Sequence, residues 1–297
     1  MLQNRTSPLS VAVAIATAGR PRELADTVRH LDDVLGNSHP LLVCPASPAD
    51  LSKVGAGHAY QTVAGPRGLC HQRNALMSAS TSDVLIFLDD DFLPAEDFVT
   101  EVERLFSSDP TIVAATGSVL ADGILSEGIE YEEGRRIVKS AGLNDGGAPF
   151  DVFNAYGCNM VIRMAPVRQH ALRFDEALPL YGWLEDVDFC RQLAPYGRIV
   201  KSPRLRGVHL GTKKAGRSPG VRLGYSQVAN PAYLARKGSI SWPRALKSIS
   251  RNFAANMLRS AGPEPWVDRR GRLKGNLKAA TDAVIGKLHP QRILSFK

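Results

Sequence analysis

The chain has 297 residues, 44% hydrophobic and 22% charged, a globular composition that excludes a disordered or fibrous protein and leaves room for one large α/β core plus an appendage. Its net charge of +8 is divided unevenly: residues 1–200 hold 16 Lys/Arg against 26 Asp/Glu, net −10, whereas residues 201–297 hold 21 against 3, net +18. An acidic body with a basic tail predicts two jobs, the tail meeting an anionic surface, though charge alone does not choose between nucleic acid, anionic lipid and a phosphorylated substrate.

The N-terminus imitates a secretory leader, with Arg5, an apolar run and Ala16-Thr17-Ala18. The run Val11 to Ala16 is too short for a leader's apolar segment, and Gly19-Arg20-Pro21 then opens a turn. It reads as a first strand buried on both faces. Pro21 suits the first turn of a helix to about Leu35, with Leu24, Val28 and Leu31 on one face. Leu41 to Cys44 reads as a strand, Leu69 to Ala79 as a helix, and Val84 to Leu88 as another apolar strand. A helix carrying Phe98, Val102 and Leu105 and a strand from Ile112 to Ala115 follow. Strand-helix alternation predicts an α/β, doubly wound, mostly parallel sheet, with ligands beyond the carboxyl ends of its strands.

From Leu120 to Pro149 the pattern weakens into a variable connection or a two-stranded excursion. Regular structure resumes at Val152-Phe153 and Met160 to Ile162, followed by a helix from Glu185 to Leu193 and a short strand at Ile199-Val200. The predicted main domain is 1–210, in two halves over 1–118 and 119–210. The basic helical region is 211–297. It begins as a Gly-, Lys-, Arg- and Ser-rich loop. A helix from Trp242 to Ala261 carries Leu246, Ile249, Phe253 and Met257 on one side and Arg244, Lys247 and Arg251 on the other. A second helix runs from Leu273 to Leu288. Cys44, Cys70, Cys158 and Cys190 form no C-x-x-C pair and read as buried small hydrophobes in a reducing compartment. No segment reaches the ~20 apolar residues of a membrane span. The expected location is cytoplasmic, with the inner membrane face as an attachment point open to the tail.

The most informative segment is Val84-Leu85-Ile86-Phe87-Leu88-Asp89-Asp90-Asp91. Three carboxylates at a strand end repel one another unless a cation joins them. Mg²⁺ or Mn²⁺ takes one or two carboxylates and completes its shell with water and substrate phosphate oxygens. The bland alternative is a solvated loop that caps the next helix.

These residues, taken with four other segments, resemble a family-2 inverting glycosyltransferase of GT-A fold, of the bacterial glycan-biosynthesis type, over roughly residues 10–210. Ile15-Ala16-Thr17-Ala18-Gly19-Arg20-Pro21 resembles the family's first strand and nucleotide-contacting turn. Gly68-Leu69-Cys70-His71-Gln72-Arg73-Asn74-Ala75 resembles the helix start whose Arg faces the diphosphate. Asp89-Asp90-Asp91 matches the D-x-D element, Phe174-Asp175-Glu176 and Trp183-Leu184-Glu185-Asp186 the acceptor side and Glu-Asp motif, and His209 a third metal contact.

The resemblance implies a nucleoside-diphosphate sugar as donor and a glycan or lipid-linked glycan as acceptor. It assigns Asp91 and His209 to the metal, Asp89 to the metal or the ribose, and Thr17, Arg20, Arg73, Asp89 and Asp90 to the donor side. Asp186 is the implied base, with Trp183 and Glu185 on the acceptor side. One base suffices for a single inverting displacement. Taken without the family, Glu185, Asp186 and Asp188 also suit a helix first turn, Asp188 within reach of Arg191. Two departures stand out. Cys44-Pro45-Ala46-Ser47 occupies the place of an acidic residue that reads the nucleobase, and Ala18-Gly19 that of an aromatic and Asn.

The competing readings are a nucleotidyltransferase acting on sugar phosphates, a basic polyanion-binding protein and an inactive scaffold. No triphosphate-cradling glycine loop and no nucleic-acid motif supports the first two, and no nucleic-acid partner is expected. The tail helices suit an anionic bilayer interface; packing on the body, or a homodimer contact, is the alternative.

Overall fold

The computed structural model describes residues 9–35, 38–142, 146–212 and 220–296. In chain order the elements are β1 (Val11–Thr17), α1 (Pro21–Leu35), β2 (Leu41–Pro45), β3 (Gln61–Thr62), α2 (Leu69–Ala79), β4 (Val84–Asp89), β5 (Phe92–Pro94), α3 (Phe98–Ser108), β6 (Ile112–Asp122) and α4 (Tyr131–Ser140). They continue with β7 (Phe150–Asp151), β8 (Asn159–Arg163), α5 (Met164–Gln169), α6 (Glu185–Leu193), β9 (Arg198–His209), α7 (Gly220–Lys237), α8 (Trp242–Arg259) and α9 (Arg269–Val284).

The sheet order is β3-β2-β1-β4-β8-β6-β9-β5, with β7 also on β9. Strands β1, β2, β3, β4, β6 and β9 run one way, and β5, β7 and β8 run against them. Apolar residues on both faces of the central strands make this a three-layer molecule. Val11, Val13 and Ile15 of β1 pack with Leu24, Val28 and Leu31 of α1 and with Val102 and Leu105 of α3. Ala12 and Ala14 of the same strand face Leu76 and Met77 of α2 and Phe189 and Leu193 of α6.

The second half is more regular than its sequence suggests. β6 runs through Asp122, well past Ala115. α4 lies within the stretch expected to be irregular, and its Gly134 sits where an added Cβ would come 2.5 Å from Leu210 Cδ2. The short strand expected at Ile199-Val200 is the middle of the 12-residue β9.

The basic region starts helical earlier than predicted. α7 spans Gly220–Lys237 and carries Pro231 internally, whereas residues 213–219 of the expected loop lie outside the described residues. Leu234 and Ala235 of α7 and Ala245 of α8 join the core beneath α2 and α6, so this region shares the body's core. α7 and α9 cross closely because Gly224 and Gly275 lack side chains: a Cβ on either would overlap a backbone carbonyl of the other helix, Arg272 or Val221. The Asn256 Nδ2 group donates to Gln227 Oε1 and Asn276 Oδ1, both at 2.8 Å, tying α8 to α7 and α9. Of the apolar face expected on α8, Ile249 and Phe253 are half-buried, while Leu246 and Met257 are 55% and 52% exposed. Among the described residues no helix is long and apolar enough to cross a membrane.

Candidate active site

Sheet register builds the acidic cluster. β4 ends at Asp89, and after a turn β5 pairs antiparallel with β9, setting Phe92 opposite His209. On the other side of β9, β6 sets Asp122 opposite His209. One ligand atom from each of Asp89, Asp91 and His209 therefore lies within 4.8 Å of the others. His209 Nε2 is 3.4 Å from Asp91 Oδ1 and 3.8 Å from Asp89 Oδ2, and Nδ1 is 2.9 Å from Asp122 Oδ1. A carboxylate on Nδ1 orients the ring so that Nε2 faces the cluster.

The donor set fits a hard divalent cation: two carboxylates and an imidazole converge, and among the described residues the buried Asp91 Oδ1 has only His209 Nε2, at 3.4 Å, close to it. Burial alone would lower the basicity of His209, but Asp122 and Asp91 raise its pKa to about 10. Asp91 is only 1% exposed, which works against its ionisation, yet His209 and Arg20 hold it well below the ordinary carboxylate range.

Asp90 turns inward. Its Oδ2 accepts from Thr17 Oγ1 at 2.5 Å, and Oδ1 lies 3.1 Å from Arg20. Burial pushes its pKa up to about 7 against the pull of Arg20. Arg20 also pairs with Asp91, and donates to Thr212 Oγ1 at 2.6 Å. Thr17, Arg20 and Asp90 thus brace the cluster as well as line the cavity. Gly19, at φ +72°, adopts a backbone shape that glycine allows cheaply, and its N–H donates to the buried Asp50.

Arg73 is 2% exposed and lies between the rings of Phe87 and Phe174, 5.4 Å from each centroid. Its guanidinium donates to Glu185 Oε1 at 2.7 Å and to the Gly157 carbonyl at 2.8 Å, and approaches Asp89 Oδ1 at 3.5 Å. Arg73 and Glu185 are both on the cavity wall, but each is the other's counter-ion. Burial, reinforced by Asp186, raises the Glu185 pKa in spite of Arg73.

Asp186 is half-buried, with Oδ2 accepting from Gly157 N at 3.1 Å and Oδ1 from Val187 N at 2.7 Å. Burial raises its pKa. The loop before it is contorted: Leu180, Gly182 and Leu184 have φ of 58°, 66° and 72°, and such strain in bulky residues gathers where a side chain must be aimed. This loop sets Trp183 on the cavity wall, its carbonyl accepting from Asn230 of α7 at 2.8 Å. The expected Asp188–Arg191 pairing is not what the structure shows. Asp188 accepts from Lys237 Nζ at 2.7 Å and from Ser239, while Arg191 donates to the Phe153 carbonyl at 2.8 Å. Tertiary contacts with α7 override the local spacing.

All the sequence-selected residues except Asp91 line one cavity of about 540 Å³, and Asp91 lies just behind it on Asp90 and His209. Sequence reasoning missed Asp122, Tyr156, Arg67 and Arg222. Tyr156 donates to Asp122 Oδ2 at 3.2 Å and faces His209 edge-on. Asp122 lies in the aperiodic stretch after Ala115, and only the β6–β9 register reveals it.

The fold and site together define a GT-A-type α/β protein with a metal-competent carboxylate cluster at the strand ends. Residues 61–170 match the model of glycosyl transferase family 2. The chain carries a glycosyl transferase family 2 region in a GT-A fold, and it is a transferase. The structure is similar to that of the Pyrobaculum calidifontis mannosyltransferase PcManGT in complex with GDP-Man and Mn²⁺, with a TM-score of 0.54 and 15% identity over 98% of this chain and 84% of that one. It is also similar to S. aureus TarS 1–349, with a TM-score of 0.52 and 11% identity over 94% and 92%. No curated protein matches the sequence.

Proposed function

We propose that the protein moves a sugar from a nucleoside-diphosphate sugar to an acceptor hydroxyl in a single inverting, metal-dependent displacement. The observation that carries this reading is the convergence of Asp89, Asp91 and His209 on the cavity that also presents Asp186. Asp91 and His209, with Asp89, would hold Mn²⁺ or Mg²⁺, which as a Lewis acid offsets charge on the departing diphosphate. Mn²⁺ with GDP-Man in the PcManGT structure favours this donor chemistry.

Asp186 takes the acceptor hydroxyl's proton as that oxygen bonds to the sugar's anomeric carbon, and the bond to the diphosphate breaks with its electron pair leaving on the phosphate oxygen. Backbone N–H groups of Gly157 and Val187 hold the Asp186 carboxylate in place, and its raised pKa makes it a stronger base than an exposed aspartate. Arg73 acts as a positioning residue that fixes Glu185 and the Asp89 end of the strand. Trp183 offers an apolar ring for a sugar face.

The acceptor in this reading is a glycan or lipid-linked glycan at an anionic inner membrane face. Support comes from charge complementarity: residues 201–297 carry net +18, and α8 and α9 expose Leu246, Met257, Leu258, Leu277 and Val284 near Lys247, Arg251 and Lys278. A thermal-shift panel of nucleoside diphosphates with and without Mn²⁺ tests the donor side, because a ligand of the folded state raises the melting temperature. A shift that needs both nucleotide and metal is expected; none with any nucleotide would reject it.

A further inference from the structure

We propose that Arg222, contributed by the C-terminal helices, joins Arg67 to grip a phosphate group of a substrate in the catalytic cavity. The inference rests on the transferase reading above but adds residues outside its metal and base. Among the described residues, four arginines line the cavity. Two are neutralised from within: Arg20 by Asp90 and Asp91, and Arg73 by Glu185. Among the described residues, Arg67 and Arg222 have no carboxylate partner. Both guanidinium groups line one cavity, and a phosphate accepts such planar N–H forks in two-point contacts.

Arg222 is built for the task rather than left loose. It projects from α7 and is half-buried, and its Nη2 donates to the Phe296 carbonyl at 2.5 Å. Phe296 is itself fixed edge-to-face on Tyr225, with ring centroids 5.0 Å apart. The buried Nε–H of Arg222 finds no acceptor among the described residues. A pre-fixed cation loses little rotamer freedom on binding, which favours affinity. Arg67 is exposed, next to Gly68, where the chain turns into α2. The tail's positive charge thereby acts partly at the active site itself, and not only on the outer faces of α8 and α9.

The phosphate belongs either to the donor's diphosphate or to a phosphorylated acceptor, and two arms of one experiment separate them. In the first, calorimetry of the full chain with Mn²⁺ titrates UDP, GDP and inorganic pyrophosphate, with uridine and guanosine as uncharged controls. In the second, a short-chain isoprenyl phosphate is titrated against its alcohol. Arg222→Gln is expected to weaken the phosphate ligands of one arm by about 10- to 100-fold, the range for a charge-assisted hydrogen-bonded contact. Arg67→Gln should act in the same arm, and Arg222→Lys should retain part of the affinity. The phosphate-free controls should be unaffected. Weakening in the first arm assigns the group to the donor, and weakening in the second to the acceptor. If Arg222→Gln does not fold, Arg67→Gln, at an exposed position, carries the test. Unchanged affinity in both arms overturns the proposal. If the unmodified protein binds no nucleoside diphosphate, the donor reading falls, while pyrophosphate and isoprenyl phosphate still decide whether these arginines hold phosphate.

Discussion

Loading the metal should expel a proton. In the metal-free protein His209 lies between Asp122 and Asp91; burial would lower its pKa, but the two carboxylates raise it to about 10. A ligating imidazole must be neutral. At neutral pH His209 in the empty site is mostly protonated, and its deprotonation opposes metal binding. Apparent Mn²⁺ affinity should therefore rise about tenfold per pH unit from about pH 6 to about pH 9 and level off above the histidine's pKa. Linkage gives the opposite sign for the empty fold. Stability from charged His209 is fully present below its unfolded pKa of about 6.5 and is lost as pH rises through the raised folded value. Calorimetric Mn²⁺ titrations at neutral pH, in buffers of different ionisation enthalpy, read the coupled proton directly. The expected result is close to one proton released per metal, and His209→Gln should abolish it. No proton release, or an affinity flat across this range, refutes His209 as a ligand.

The neighbouring carboxylates should separate cleanly by substitution. Asp186→Asn should lower transfer by about 10²–10⁴-fold while nucleoside-diphosphate affinity changes little, as measured by initial rates and calorimetry. Glu185→Gln should instead register in thermal melts as a stability loss, smaller than the about 3–5 kcal/mol of a fully orphaned buried charge, because the buried Arg73 loses its closest carboxylate and keeps only Asp89 at 3.5 Å. The reverse pattern would exchange the two roles. Gly275→Ala should lower the melting temperature by forcing α9 away from α7, since its Cβ has no room against the Val221 carbonyl; an unchanged melt would show that the crossing can give. Flotation with anionic vesicles at low salt should recover the protein and fail with neutral vesicles, with high salt, or with a Leu246→Glu/Met257→Glu variant. A protein that stays unbound at low salt would make the tail a purely structural and active-site element.

The parts of this account legible in the sequence are those governed by short-range pattern. Val11 to Ala16 and Val84 to Leu88 are continuous apolar runs, and such runs are strands buried on both faces whatever surrounds them. Asp89 to Asp91 stood out as a candidate cation site because like charges at a strand end need a reason, and the structure brings Asp89 and Asp91 together with His209. The second half was hidden by residues chosen for tertiary fit. Pro203 and Gly207 interrupt the strand pattern of β9, yet a Cβ at Gly207 would collide with the Phe92 ring, so glycine is demanded by the β5 crossing. Gly224 and Pro231 masked α7 in the same way, the glycine being the price of close approach to α9. Arg73, selected from the sequence, does line the cavity, but its partner could not be foreseen: Glu185 lies 112 positions away and meets it only once α2 and α6 share a face. Asp122 had no local signal at all, since its meaning comes from lying opposite His209 across a sheet.

The most direct test of the central claim is product release from a panel of nucleoside-diphosphate sugars, measured as free nucleoside diphosphate with Mn²⁺, after EDTA, and with Asp91→Asn. The account predicts release from at least one donor, abolished by EDTA, restored by added Mn²⁺ and lost in the variant. Full release in chelator, undiminished by Asp91→Asn, would contradict it.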